Sequence, residues 1–581
     1  MRLRFLALVG PPAALDAICR NGDIERRLAP KLVIAARLPW LRLFANPGTV
    51  PIVADQGNCV LLGRLLERDG REPLHSLQGA LGADVSRTCG QSLIERCWGS
   101  YVAFGSKDGD DNWALRDPSG AVPLYAAEHA GVHAYFSDPE ASGGLIDMTP
   151  DRAFPAQWLA FPYLRTERTG LKHIRECLPG MRLISASART RAESAWTPWT
   201  FAARERAITS FEAAVEQLRD TLLRTIPPHV ASYRDLLLEL SGGLDSAIVA
   251  AALREADLRF SSVNFVTRSP DGDERRYARA VADAVSSPLT EIFEPAGPLK
   301  LSVQADQRLR PGLSPVVQPL HEAFAQHAAA LGADAFLTGT GGDNVFCYLT
   351  TAAPIVDAAW DRGWRAALTG TLPDVAQLCE CTIWTAGRFA VSRAFRRPRR
   401  PPWKRDVDFL GANAVPTEHD PHPWLLAPPS AAPGKREHVR ALVRIQHFLD
   451  PENRESDISF VHPLMAQPLL ELCLAVPSWM WVRGGRNRAV ARAAFRDLVP
   501  DVILHRRTKG RLEAMCSRYF AGARAELLEI LMNGWLRREG IVDAAAVEAY
   551  LRQEGPPTDV RYFRLFELAA MELWRRSWRW A

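Results

Sequence analysis

The hexapeptide Ser241-Gly-Gly-Leu-Asp-Ser246 constrains this chain more than any other stretch. It stands between an apolar run, 235–240, that reads as a strand and a run, 247–253, that reads as a helix. Glycines let a backbone turn tightly and point its N–H groups inward. Ser241 and Ser246 add hydroxyl donors, and the helix N-terminus adds a partial positive charge, so the loop suits a phosphate group. Asp245 is awkward beside phosphate alone and sensible beside Mg²⁺. The plainer alternative is a Gly-rich turn that opens a helix through Ser capping. The loop is not the G-x-x-x-x-G-K-[ST] phosphate motif.

A second loop of similar make-up, Thr338-Gly-Thr-Gly-Gly-Asp-Asn-Val-Phe346, follows another short apolar run at 334–338. Gly341 and Gly342 permit close backbone approach, and Asp343 supplies a second carboxylate. Between the loops, 261–267 reads as a strand, 274–285 as a helix, and 328–332 as the end of another helix. Helical spacing also marks 211–226. This alternation predicts a parallel sheet with crossover helices. Such sheets bind ligands at the C-terminal edge of their strands, where Asp245 and Asp343 would together hold Mg²⁺ against a triphosphate. A structural turn is the alternative for Asp343.

Residues 1–205 read differently. Short apolar runs at 3–9, 31–36, 58–62, 100–104, 113–116 and 131–136 are separated by Gly, Asp, Asn and Pro turns. Helices are expected at 74–81 and 91–97, with 196–200 as a connector. The reading is a β-rich, layered or sandwich-like domain at 1–205, then an α/β domain at 206–581. The overall class is therefore mixed α/β and α+β. Residues 387–435 are rich in Arg and Pro and read as a solvated loop or a flexible element over an active site. Beyond residue 438 the pattern is mostly helical.

Bulk properties exclude several classes. The 581 residues are 47% apolar and 24% charged, which is globular chemistry with room for two to four domains. A net charge of 71 − 66 = +5 gives no reason to expect a nucleic-acid partner. The ten cysteines are scattered, so neither a zinc site nor a disulfide framework is expected. No segment offers about 18 consecutive apolar residues for a membrane span, and the N-terminal apolar run is too short for a signal peptide. A cytoplasmic location is the expectation.

The ordered motifs resemble the asparagine synthetase family, with Ser241–Ser246 similar to the pyrophosphate loop of N-type ATP pyrophosphatases. In that family a strand lining the adenine pocket comes next, here 263–267 with Val266 and Thr267. A D-E-x-x-x-A element follows, here Asp273, Glu274 and Ala278, and the S-G-E-G-x-D-E element corresponds to 338–344. Then come His462-Pro463-Leu464, a helix entered by Arg488, Val499-Pro500, and Arg507-Thr-Lys-Gly510. Upstream, Arg116-Asp117, Gly120 and Pro123-Leu124-Tyr125 resemble a segment of the family's glutaminase-like (Ntn-type) half.

The resemblance implies ATP and Mg²⁺ as cofactors and carboxylate adenylation followed by amine attack. It places pyrophosphate on Ser241, Gly242, Gly243 and Ser246, and Mg²⁺ on Asp245 and Asp343. Gly341, Gly342, Arg488 and Arg507 would assist nucleotide binding. Lys509 would act as transition-state cation, and Tyr348 is a candidate base. Four departures mark a changed acceptor site: Thr340 stands where the family has Glu, Asn344 where it has a second acid, Arg488 where it has Lys, and the usual Asp after Pro463-Leu464 is missing. A working glutaminase needs an N-terminal Cys. Residue 2 is Arg and the first Cys is Cys19, so glutamine hydrolysis is not expected. An amide-forming enzyme whose amine comes with its substrate suits ring closure. The branch resembled most is the lasso-peptide cyclases. The implied partners are a precursor-derived core peptide, a leader peptidase and a leader-recognition protein. A small-molecule amide or β-lactam synthetase, or an ammonia-dependent asparagine synthetase, is the alternative.

Overall fold

A computed structural model describes every residue except 1, 108–110, 187–188, 303–306, 396–402, 451–457, 508–509, 558 and 579–581. Up to Ser194 two six-stranded antiparallel sheets lie face to face. The first strand, Phe5–Val9, is central in its sheet and pairs with Leu41–Ala45 and Val132–Phe136. Its alternation sorts residues by face. Phe5, Ala7 and Val9 join Val60, Leu62, Val102 and Phe104 of the other sheet in an inter-sheet core. Leu6 and Leu8 pack with Leu15, Ile24 and Leu28 of the covering helices Pro12–Cys19 and Asp23–Leu28. Helices Gly79–Arg87 and Gln91–Arg96 add Val85 and Leu93 to the same core as Leu61, Leu65 and Tyr101 of the second sheet.

The helix expected at 74–81 begins later, at Gly79. Leu74 donates its N–H to Leu65 O at 2.8 Å, so 73–74 extends the sheet, and Gly79 at φ +63° turns the chain where the helix begins. The connector at 196–200 includes a short helix, Pro198–Phe201, capped by the Thr197 side chain. The sheets also contain strands Leu41–Ala45, Tyr125–His129, Met181–Ala186 and Arg189–Ser194, beyond those expected from the apolar runs.

Helix Phe211–Val230, capped by Ser210, leads into a third sheet, of five strands. Its strands are β1 (Leu236–Glu239), β2 (Ser261–Val266), β3 (Leu289–Phe293), β4 (Ala335–Leu337) and β5 (Ser459–Val461). They are parallel, in the order β3-β2-β1-β4-β5. Helix α1 (Leu244–Glu255) follows β1 and helix α2 (Arg275–Val285) follows β2. The strand order reverses at β1, with β2 on one side and β4 on the other. That is the switch point at which such sheets open a crevice. β5 lies inside the region expected to be helical. Its short, half-apolar run carries too little pattern to be read alone.

Residues 403–427 of the Arg- and Pro-rich region form a packed strap. Trp403 Nε1 donates to Pro162 O at 3.0 Å, Asp406 N to Ala160 O at 2.9 Å, and Trp199 Nε1 to Trp424 O at 2.9 Å. Among the described residues no helix is long and apolar enough to cross a membrane.

Candidate active site

The first loop leaves the C-terminal end of β1. Leu240 N donates to Val263 O at 2.8 Å and Asn264 Nδ2 donates to Leu240 O at 2.6 Å, which fixes the point of exit. Gly242 then turns at φ +67°, and a Cβ there would lie 2.9 Å from Tyr277 Cβ on α2. Gly243 is the N-cap of α1, and no side chain caps that helix. The Ser-capped turn considered above is therefore not what forms. Ser246 Oγ instead donates to Gly243 O at 3.3 Å and stands 3.3 Å from Ser241 Oγ. The positive end of a three-turn helix is left uncompensated by any capping side chain, directly behind a loop with two hydroxyls.

The second loop leaves β4 and presses against the first. A Cβ on Gly339 would lie 2.6 Å from Ser246 N, and one on Gly342 would lie 2.3 Å from Asp245 Cγ. Only glycine allows this approach. Gly341, at φ +94°, turns the chain into the short helix Gly342–Val345 that carries Asp343. Thr338 Oγ1 shares a 3.0 Å hydrogen bond with His462 Nδ1, and His462 Nε2 lies 3.2 Å from Leu449 O. Burial holds the His462 imidazole down at about 4, so it is a neutral structural link at neutral pH. Asn344, at the position of the missing acid, donates to Ala441 O at 2.9 Å and serves packing.

Asp245 and Asp343 do come together, with a cation between them. Arg488 Nη1 lies 2.9 Å from both Asp245 oxygens and 2.5 Å from Asp343 Oδ1. Arg488 Nε donates to Asn487 Oδ1 at 3.1 Å, and the Tyr348 ring centroid lies 5.4 Å from the guanidinium. Burial opposes the charge on Arg488, yet the two carboxylates more than offset it and raise its pKa. Two hard oxygen donors converging on one position fit Mg²⁺, which takes one or two carboxylates and fills its remaining positions with phosphate oxygens and water. Among the described residues no group of three His, Cys, Asp or Glu side chains is placed to hold a metal.

The other expected residues fall as follows. Val266 ends β2 and Thr267 follows it; both are buried, and Thr267 Oγ1 donates to Ser269 O at 3.0 Å. Arg507, expected at the phosphates, is exposed. It is Arg506 that turns inward after helix Asp501–Leu504. Its Nη1 donates to Gly242 O at 2.8 Å, its guanidinium lies 3.8 Å from the Tyr277 ring centroid, and it pairs with Glu274. Glu274 also accepts from Gly510 N, so one buried carboxylate holds both Arg506 and Gly510. Two adjacent arginines cannot be ranked by sequence; Tyr277 and Glu274 on the facing segment decide between them. Lys509 lies outside the described residues.

Residues 217–576 match the model of the Asparagine synthase family. The chain belongs to that family. ATP-dependent amide-bond ligation is the chemistry that goes with it. No curated protein matches the chain by sequence. Solved structures are similar only remotely. An NMN synthetase from Francisella tularensis is 16% identical over 21% of this chain and 41% of its own, with a TM-score of 0.13. An allosteric regulatory enzyme of purine biosynthesis is 11% identical over 58% and 84%, at 0.21. A glutamine phosphoribosylpyrophosphate amidotransferase from B. subtilis, complexed with ADP and GMP, is 10% identical over 58% and 85%, at 0.20.

Proposed function

We propose that this synthetase is a lasso-peptide cyclase. It adenylates an Asp or Glu side chain of a ribosomally made core peptide, and the peptide's α-amine then closes a macrolactam with release of AMP and pyrophosphate. The observation that carries the ATP half of this reading is the contact of the two glycine loops at the β1–β4 switch point, with both carboxylates on one position.

In this reading Gly242, Gly243, Ser241 and Ser246 cradle pyrophosphate, with the α1 N-terminus behind them. Asp245 and Asp343 hold Mg²⁺, which supplies charge neutralisation on the phosphates. Val266 and Thr267 border the adenine, with Gly341 and Gly342 keeping the wall thin. Arg506 holds the loop from outside through Gly242 O, and Arg488 supplies positive charge within reach of the phosphates. Lys509 is the proposed cation at the acyl centre. Tyr348 is the proposed base for the amine, at the exposed lip of the site.

The residues of the sandwich at 1–205 support an amine that comes with the substrate. Thiol catalysis needs a thiolate. Burial raises the thiols of four of the five cysteines there, Cys19, Cys59, Cys97 and Cys177, with Cys97 at about 11; the fifth, Cys89, is half-buried. We take 1–205 as a scaffold without glutaminase chemistry and 206–581 as the synthetase. Mass spectrometry of a precursor-derived peptide with enzyme and Mg-ATP tests the reading. Loss of one water from the peptide together with AMP formation is expected. Amidation of a free amino acid by ammonia, with no peptide cyclised, would overturn it in favour of the ammonia-dependent alternative.

A further inference from the structure

We propose that Arg488 is a resident counter-cation that keeps the Asp245–Asp343 pair closed to free divalent metal until nucleotide arrives. The inference rests on the reading that this pair is the metal position of the ATP site. Its geometry is specific. One guanidinium nitrogen lies within 2.9 Å of both oxygens of Asp245 and 2.5 Å from one oxygen of Asp343, which is the place a bridging cation would take.

The side chain is held there from several directions. Arg488 is the N-cap of helix Ala489–Ala494 and sits at φ +51°, in the left-handed region, so its backbone direction is fixed by the turn rather than by rotamer choice. Asn487 accepts from Nε, and the Tyr348 ring lies on one side. Arg492, one turn on, donates to Asn487 O at 3.0 Å and Leu504 O at 2.7 Å, which anchors the turn itself. Only 12% of the Arg488 side chain is exposed.

The charges give the consequence. Two carboxylates and one guanidinium sum to −1. A free divalent ion must displace a buried, hydrogen-bonded cation and leave it without a counter-charge. A metal arriving with a nucleotide brings phosphate oxygens that can receive the displaced guanidinium, so the displacement is compensated. Metal and nucleotide binding are then coupled, each strengthening the other. A planar guanidinium suits this task better than a lysine ammonium, because it keeps its charge and its fixed donor geometry in a half-dry site.

The test is Mn²⁺ binding to the full chain without nucleotide, read by electron paramagnetic resonance. Wild type is expected to show no tight Mn²⁺ site. Arg488→Met is expected to gain one site at least about tenfold tighter than anything in wild type, and adding Asp343→Asn is expected to remove it. Arg488→Lys serves as a second variant if Arg488→Met does not fold, with an intermediate gain expected. Equal Mn²⁺ affinity in wild type and both variants, or a gained site that survives Asp343→Asn, overturns the proposal. A separate calorimetric titration with ATP and Mg²⁺ isolates the underlying reading: no ATP binding at all would sink the nucleotide site while leaving the Mn²⁺ result to be read by itself.

Discussion

Gly342→Ala is the sharpest perturbation of the site. A Cβ there would lie 2.3 Å from Asp245 Cγ and 2.6 Å from Asp245 Cβ, whereas ordinary contact begins at 3.4 Å. The deficit is 3.4 − 2.3 = 1.1 Å. A side-chain swing does not relieve it, because Asp245 Cβ is also too close; the two loops must part by about that distance. Misplacing a catalytic group by about 1 Å costs on the order of 10²-fold in rate, or about 2.7 kcal/mol of barrier. Overpacking costs about 1–3 kcal/mol of stability, which a fold with this much core should survive. The assay is carboxylate-dependent ATP–pyrophosphate exchange with the core peptide of the proposed function, with circular dichroism to confirm folding. Gly370→Ala is the control: it sits in the helical turn Ala367–Thr371, and its Cβ would meet nothing within 4 Å. We expect Gly342→Ala to lose about a hundredfold and Gly370→Ala to stay at wild type. Exchange within about threefold of wild type in folded Gly342→Ala would refute the claim that contact of the loops sets the chemistry. Should Gly342→Ala fail to fold, Gly339→Ala probes the same contact through Ser246 N, with the same expectation.

Three further outcomes follow from the packing. Arg506→Ala should lower exchange by about tenfold or more through loss of a charge-assisted bond to the first glycine loop, while Arg507→Ala stays within about twofold; the reverse ranking in steady-state kinetics would show that the inward arginine is misassigned. Glu471→Ala should lower the denaturation midpoint by the equivalent of about 3–5 kcal/mol, because Arg68 and Trp196 Nε1 both depend on that carboxylate; a change under 1 kcal/mol in urea melts would contradict a shared interface. Burial holds His229 and His438 at about 3 and His422 and His462 at about 4, against 6.5 when unfolded. Their stabilisation is present above pH 6.5 and is lost as pH falls from 6.5 to about 4 for His422 and His462 and to about 3 for His229 and His438. Burial also raises Asp117 and Asp357 to about 6, so these two take up protons in the folded state below pH 6 and oppose the trend. At pH 5 about four protons against about two leaves about two, a slope of roughly 3 kcal/mol per pH unit. Melts at pH 7, 6 and 5 should show stability falling with pH, and a flat or rising series would refute the balance.

What could be read in the sequence was what local chemistry enforces. Ser241–Ser246 and 338–344 announced themselves because only glycine permits such close approach, and the strand–helix alternation around them gave the parallel sheet. Asp245 and Asp343 could be paired because both follow strands of one sheet. Arg488 could be placed at the site by motif order, but not between the two carboxylates, since that depends on a left-handed backbone turn that its residue type does not disclose. The sequence does not separate Arg506 from its neighbour, because the deciding partners, Tyr277 and Glu274, are about 230 residues away. β5 was missed for a similar reason: Ser459-Phe-Val461 becomes a strand by pairing with β4 and carries little propensity of its own. The strap at 403–427 looked like solvated loop because Pro-rich composition says nothing of the Trp403 and Trp424 contacts that fasten it.

Directional contacts join the sandwich to the residues that follow it. Glu471, on helix Gln467–Ala475, accepts from Arg68 of the sandwich at 2.6 Å and from Trp196 Nε1 at 3.0 Å; Gln467 of the same helix donates to Ile94 O at 2.9 Å. Arg165 donates to Gln446 O at 3.0 Å, and Gly170 N to Leu309 O at 2.8 Å. These are buried or half-buried directional bonds, and each partner left unsatisfied costs about 1–3 kcal/mol. Few sliding motions preserve them all, so the sandwich fixes helix Gln467–Ala475 in one place. That helix begins directly after the turn Pro463–Met465, and Met465 packs against the second glycine loop, where a Cβ on Gly341 would lie 2.6 Å from its Sδ. His462, at the head of the same turn, holds Thr338. The sandwich therefore bears on the loop that carries Asp343 through one helix and one turn. The sandwich thus helps hold the two carboxylates in register, a structural task separate from any chemistry of its own.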